Sequence, residues 1–501
     1  MININEKEYL DKVNGCWLGK AIGGTLGMPM EWKRQWNDVT YYLQSADELP
    51  APNDDLDLQI ISLAALEDNG PGLTPSRLAE YFLQFVTPFW AEYGAAKSHL
   101  LCGVLPPYSG MTNNVFKDSC GCFIRSELWA CIAPGFPAQS VVYAAGDGSI
   151  DHGSGEGVYA ECFCAAVQSA AFVERNIPEL IRIGLTYIPP DSACSRAVKL
   201  AEQLFAAGKP LKEARIDMLK TFCSGYHIAV DGESVRLGLD KGTVGTEAPT
   251  NLGMIALALY YGQGDFEKSL LAAVACGEDT DCTAGTVAAL FGILLGASGL
   301  PEKWKAPIGD RIVSMCVALG DFPMPRTVGE MSARVEAVMR QVALAKSLPL
   351  TVGEGPTDTG EAKASLTYCG DLRELYLRTE GVYYDFGLFE AYVVYPDGVY
   401  AAAEEVRRVK ILLSSKSALT ANVTARLVCC GQPQTCAYGP EEQTVYLGRA
   451  YPGLYDPAHR MDRAELQFEI RPQTACALDF VVVLKVSGRA ETHCIPVRFL
   501  V

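Results

Sequence analysis

Two kinds of pattern share this chain. Up to about residue 345, apolar residues recur three and four positions apart, as over 75–85, 195–207 and 331–344. That spacing predicts helices. Glycine and proline clusters at 69–72 and 189–191 punctuate them. Between 348 and 363 the chain turns polar and glycine-rich, with TVGEGPTDTGEAK at its centre, and reads as a connection between domains. Beyond it, β-branched and aromatic residues gather in short runs at 392–395, 409–413, 423–428, 466–470 and 480–486, the first closed by Pro396-Asp397-Gly398. The expectation is an all-α domain over 1–347, a linker over 348–363 and a smaller all-β, sandwich-like domain over 364–501.

One run stands apart. From 282 to 301 no residue is charged, about the length of a membrane span. Ala, Gly, Thr and Ser fill it, however, and Glu278, Asp279 and Asp281 crowd its start. A helix packed on all sides within the helical domain fits better, with Gly292 and Gly296 admitting a close neighbour.

Composition narrows the function. The 501 residues are 49% hydrophobic and 20% charged, ordinary values for a globular protein. Forty-two Lys and Arg stand against 59 Asp and Glu, a formal charge of -17. Such a surface disfavours nucleic acid and anionic membranes, and is compatible with cations. Residues 351–501 hold 15 basic and 19 acidic residues, so most of the negative charge belongs to the helical part. The N-terminal residues mix both signs and lack the basic-then-apolar order of a signal peptide, so a cytoplasmic location is expected. The 18 cysteines are scattered. Cys120-Gly-Cys122, Cys162-Phe-Cys164 and Cys429-Cys430 are their nearest approaches, none with structural zinc spacing, and they read as small buried thiols.

Two acidic clusters carry the chemistry. Asn53-Asp54-Asp55-Leu56-Asp57 and Gly277-Glu278-Asp279-Thr280-Asp281-Cys282 each precede an apolar helical run. Helix capping accounts for one acid in each. It does not account for three acids within four residues, nor for two beside a buried helix, because crowded carboxylates repel unless a cation intervenes. If the clusters converge, Asp54, Asp55, Asp279 and Asp281 supply four charges, a match for two divalent cations. Oxygen donors favour Mg²⁺, Mn²⁺ or Ca²⁺ over zinc.

Five segments in order resemble the ADP-ribosylglycohydrolase family, which includes the dinitrogen reductase-activating glycohydrolases. They are the glycine-rich Gly15 to Glu31, Asn53-Asp54-Asp55 where the family has Thr-Asp-Asp, the His152 segment 148–159, the run 251–266, and Gly277 to Cys282. The resemblance implies an all-α domain with a binuclear Mg²⁺ centre (Mn²⁺ as substitute) that hydrolyses the glycosidic bond at the ribose of an ADP-ribosylated protein or small molecule. By position it makes Asn53, Asp54, Asp55, Asp279, Asp281 and Cys282 the metal ligands. Glu31 and Asp55 become the catalytic carboxylates. His152, in a glycine-rich loop with Asp147, Asp151 and Glu156 close by, is a candidate contact for a phosphate or ribose, with Gly153 and Ser154 offering backbone N–H groups to a diphosphate. A loop histidine held by its acidic neighbours is the alternative for His152.

Three positions depart from the family pattern: Asn53 for Thr, Cys282 for Thr or Ser, and Gly24 for an acid in the opening helix. They leave two rivals in play, a catalytically silent ADP-ribose or nucleotide binder and a hydrolase of a different N- or O-glycoside. The chemistry itself is coherent, since cleavage at ribose passes through an oxocarbenium-like state and needs a placed water and a proton carrier.

Overall fold

The computed structural model describes residues 2–44, 48–222, 245–360, 365–416, 420–431, 436–448, 462–473 and 477–500, with the backbone alone at 229–230. Its centre is a pair of helices, Glu6–Gly27 and Thr280–Gly299, whose contact is made by glycine. Gly15, Gly19, Gly23 and Gly27 repeat every fourth residue and line one face. Opposite them run Gly292, Ala288, Ala284 and Thr280 in reverse order. A Cβ on Gly19 would stand 2.1 Å from the Ala288 carbonyl oxygen, and one on Gly23 would stand 2.2 Å from that of Ala284. The backbones therefore touch over about three turns, which glycine on the opening helix permits because it has no side chain.

This pairing explains the uncharged run. Thr280–Gly299 is long and apolar enough to cross a membrane, the single such helix among the described residues, and 72% of its apolar window is buried within the protein. It breaks at Gly296, which has φ 73° and lies against Asp11. Around the pair pack the helices Asp54–Asn69, Ala248–Gly262, Phe266–Ala275 and Val328–Ala345. Pro75–Phe85 is a helix as expected, and the expected helices at 195–207 and 331–344 fall in Ala193–Ala206 and Val328–Ala345.

The C-terminal part is antiparallel β. One sheet runs Glu442–Leu447, Ala421–Cys429, Leu478–Val486, Thr492–Phe499, and the other Val382–Asp385, Phe389–Val394, Arg407–Ser415, Arg463–Pro472, Cys436–Gly439. Alternate residues such as Val409, Ile411 and Leu413, and Phe480, Val482 and Leu484, fill a separate apolar core. All five expected strand runs lie within these strands, allowing one residue at the end of the first.

The connecting segment is no free tether. Leu350–Gly353 pairs in parallel with Ile2–Asn5, the Asn5 N–H donates to Thr357 Oγ1 at 3.0 Å, and Leu366 and Tyr376 join the helical core. Residues 361–363 of the expected linker lie outside the described residues. Across the domain junction, the Tyr395 N–H donates to Tyr108 Oη at 2.7 Å.

Candidate metal and active site

The antiparallel pairing sets the start of Thr280–Gly299 beside the end of the opening helix, and Thr280 Oγ1 fixes it by donating to the Gly27 carbonyl at 2.8 Å. The start of Asp54–Asn69 meets the same place, so two helix N-termini aim their positive ends at one pocket of carboxylates. The clusters, more than 220 residues apart in sequence, converge. One ligand atom each from Asp55, Asp281 and Cys282 lies within 4.8 Å of the others, and the same holds for Glu31, Asp279 and Asp281.

Each cluster sheds one acid to structure. Asp57 turns away from the pocket and accepts hydrogen bonds from Ser314 Oγ and the Met315 and Cys316 N–H groups, at 2.7–3.0 Å. Glu278 forms a buried ion pair with Arg34 at 2.9 Å. That pair has a positional effect. Together with the Glu278 N–H bond to the Lys33 carbonyl, at 3.1 Å, it straps the loop carrying Glu31 to the turn carrying Asp279. Trp32 (φ 61°) and Glu278 (φ 67°) take left-handed backbone on either side of the strap, strain held by this packing.

The pocket has a floor and a mouth. Asp55, Asp279 and Asp281 are at most 4% exposed, whereas Glu31 and Asp54 are half-buried and face outward. Asp54 is oriented by Tyr93, whose hydroxyl donates to Oδ2 at 2.7 Å. Asp279 is oriented by Asn251, whose Oδ1 accepts its N–H at 3.1 Å. Burial, then mutual repulsion, pushes Asp54 up to about 6 and Glu31 up to about 9, with Asp281, Asp54 and Asp55 the charges facing Glu31. Asp55 rises to about 6 by burial, less than it otherwise would because Lys20 opposes the shift. Asp279 and Asp281 rise as well, chiefly by burial.

Lys20 is the residue that sequence reasoning missed. It lies in the opening helix, 2% exposed, with Nζ 3.0 Å from Asp55 Oδ2 and 3.3 Å from Glu127 Oε1. A buried ammonium between two carboxylates holds a fixed positive charge against the pocket's acids, and this pairing outweighs the burial that would lower its pKa. A lysine surrounded by Gly, Ala and Ile was the available signal. Tyr93, Asn251 and Cys120, whose Sγ donates to Asp279 Oδ2 at 3.0 Å, were also missed as site residues.

Three of the singled-out positions have other partners in the structure. His152 is fully buried, with Nδ1 on Asp151 at 2.8 Å and Nε2 on Ser119 at 3.0 Å, so neither ring nitrogen is left for substrate. Its neighbour Gly153, at φ 71°, packs on the backbone of Met111, and Ser154 is half-buried; Asp151 also pairs with Arg125 at 2.6 Å. Asn53 caps its helix: Oδ1 accepts the Asp55 N–H at 2.7 Å, and the amide nitrogen, not the oxygen, meets Asp281 Oδ2 at 3.1 Å. The reason is spatial. A Cβ on Gly24 would lie 2.8 Å from that nitrogen, so the glycine and the asparagine that depart from the family pattern fill one space together. The third is Cys120, read from sequence as a small buried thiol: it is buried but sits on an acid, and Cys282, the expected ligand, likewise donates to Asp55 Oδ1 at 3.5 Å.

The donor set fits a divalent cation. Asp279 Oδ1 and Asp281 Oδ1 are buried oxygens without a hydrogen-bond partner, an arrangement that costs free energy unless a ligand takes them up.

A protein of Archaeoglobus fulgidus described as uncharacterized is 24% identical over 320 residues, spanning 60% of this chain and 92% of its own. A solved structure named ADP-ribosylglycohydrolase-related protein complex aligns with 67% of this chain and 99% of its own, at 19% identity and a TM-score of 0.41. The family model for ADP-ribosylglycohydrolase matches residues 5–328, the helical part that carries both acidic clusters, and the chain belongs to that family of glycosidases.

Proposed function

We propose that the protein hydrolyses the glycosidic bond at the ribose of an ADP-ribosylated substrate with divalent metal, Mg²⁺ or Mn²⁺, held by Asp54, Asp55, Asp279 and Asp281. The observation that carries this is the convergence of the clusters on two buried, unpartnered carboxylate oxygens. When bound, such ions would orient ribose hydroxyls and lower the pKa of a water. The chain's own residues divide the remaining work. Lys20 keeps Asp55 charged and fixed, which suits a ligand better than a proton carrier. Glu31 is outward-facing and strapped next to Asp279, so it is the group placed to hand a proton to the leaving atom or take one from water. Exposed Trp32, beside it, gives the mouth an apolar edge against which a sugar or base can lie.

Turnover of arginine-, serine- and small-molecule-linked ADP-ribose, with Mg²⁺ and after chelation, is the test. Asp281→Asn should lose both metal and hydrolysis. Glu31→Gln should keep the metal and lose at least about a hundredfold in rate, the usual share of a general acid or base. A second reading, a silent ADP-ribose binder, draws on the Asn53 amide nitrogen at Asp281. Tight, metal-dependent ADP-ribose binding with no turnover of any substrate class would select it.

A further inference from the structure

The pocket is not chemically uniform. On one side Glu31, Asp279 and Asp281 offer only oxygen. On the other, Cys120 Sγ, Cys282 Sγ and a carboxylate oxygen of Asp279 lie within 4.8 Å of one another, all three residues buried. The thiols come from opposite walls, Cys120 from the segment before Glu127 and Cys282 from the first turn of Thr280–Gly299. Nothing in the sequence spacing joins them, which is why they escape a search for zinc motifs.

We infer that this thiol face is a distinct position for a thiophilic divalent ion, Zn²⁺ by chemistry, bound by Cys120, Cys282 and Asp279 and adjoining the oxygen-lined position. The inference rests on the proposed metal-dependent function and deepens it. Donor type supports it first: Mg²⁺ takes oxygen ligands in near-ideal octahedra, while thiolates select zinc-like ions. Spacing supports it second. With Zn–S near 2.3 Å and Zn–O near 2.0 Å, a tetrahedral S···O edge is about 3.5 Å. Cys120 Sγ stands 3.0 Å from Asp279 Oδ2, inside that edge, and Cys120 Sγ, Cys282 Sγ and a carboxylate oxygen of Asp279 all lie within 4.8 Å of one another, so a shift of about half an ångström opens the triad around an ion. The buried Asp279 Oδ1, without a hydrogen-bond partner, is the second observation that points to a ligand, and it is shared with the adjoining oxygen-lined position. Three protein donors leave a fourth position open, as catalytic rather than structural zinc sites do.

The test uses the full chain, stripped by chelator and titrated with Co²⁺, whose thiolate bonds give a charge-transfer band in the near ultraviolet. A band saturating at one Co²⁺ per chain is expected, with Zn²⁺ bleaching it and Mg²⁺ not. Cys120→Ser and Cys282→Ser should each abolish it while Mn²⁺ binding, read by electron paramagnetic resonance, persists. A control in which exposed Cys102, Cys369, Cys430 and Cys494 are serine should keep the band. No charge-transfer band in the wild-type chain, or one unchanged in both pocket variants, overturns the inference. If Mn²⁺ still binds in that case, the proposed function stands without it. If Mn²⁺ binding is also absent, that reading fails too. Should the serine variants not fold, protection of Cys120 and Cys282 from alkylation by Zn²⁺ in the wild-type chain replaces them. Equal labelling with and without Zn²⁺ then counts against the site.

Discussion

At the scale of single residues, one buried charge pair, Lys20 with Asp55 and Glu127, works beside the hydrogen bonds that orient the other acids. Lys20→Met would strand Asp55 and Glu127 as buried carboxylates, and breaking a buried pair from one side costs about 3–5 kcal/mol. Urea denaturation of the metal-free protein should show that loss, with metal affinity reduced as Asp55 gains a proton. His152→Ala should lower the melting temperature by removing bonds to Asp151 and Ser119, yet leave the dissociation constant for ADP-ribose within twofold of wild type. A tenfold weakening of binding at unchanged stability would restore His152 to the substrate site. These two residues also mark the limit of what a sequence discloses. Carboxylates in clusters are legible because crowding like charges has no structural purpose that capping alone serves. Lys20 was not, because a lone lysine in a helix ordinarily lies at the surface, and only the fold shows that its helix has no exposed side there. His152 stayed open between a substrate contact and a histidine held by its acids, because its glycine-rich loop looks open in sequence, whereas in space Gly153 lies against Met111.

At the scale of elements, the glycine face of Glu6–Gly27 determines where the acids meet. Gly19→Ala would push a methyl into the Ala288 carbonyl and part the helices, at about 1–3 kcal/mol or more. Because Asp281 and Glu31 sit at the ends of those helices, metal affinity should fall in the same variant. Gly72→Ala, which meets nothing within 4 Å, should leave both stability and affinity unaltered. Thermal melts and Mn²⁺ titration of the pair check this. Helices with one apolar face, such as Pro75–Phe85, were readable from periodicity. Ala248–Gly262 was not, because it is buried nearly all round and no polar stripe marks its phase. The strands were readable because each alternates between the sandwich core and solvent.

At the scale of the whole molecule, the acidic pocket makes stability and metal interdependent through pH. Without metal, folding raises Asp54 and Asp55 to about 6 and Glu31 to about 9, so the folded chain binds more protons than the unfolded one between about pH 4 and 9. Their contribution is therefore present at low pH and lost as pH rises through that window. A cation that replaces those protons should raise the melting temperature more at pH 8 than at pH 5. Equal gains at both would mean the metal binds elsewhere.

The glycine-lined pairing also dictates an order of events during synthesis. The opening helix leaves the ribosome first, but its cover, Thr280–Gly299, is made more than 250 residues later, and the partner of Ile2–Asn5 later still. At about 5–20 residues per second, a narrow groove of bare backbone waits on the order of tens of seconds for its occupant. Nascent chains stalled at residue 275 should thus be cut readily by protease, and those stalled well past residue 353 should resist. The acidic pocket is among the last features of the helical domain to exist, because Asp279 and Asp281 arrive only with its second helix, so a partly made chain would lack the proposed metal site until that domain is closed.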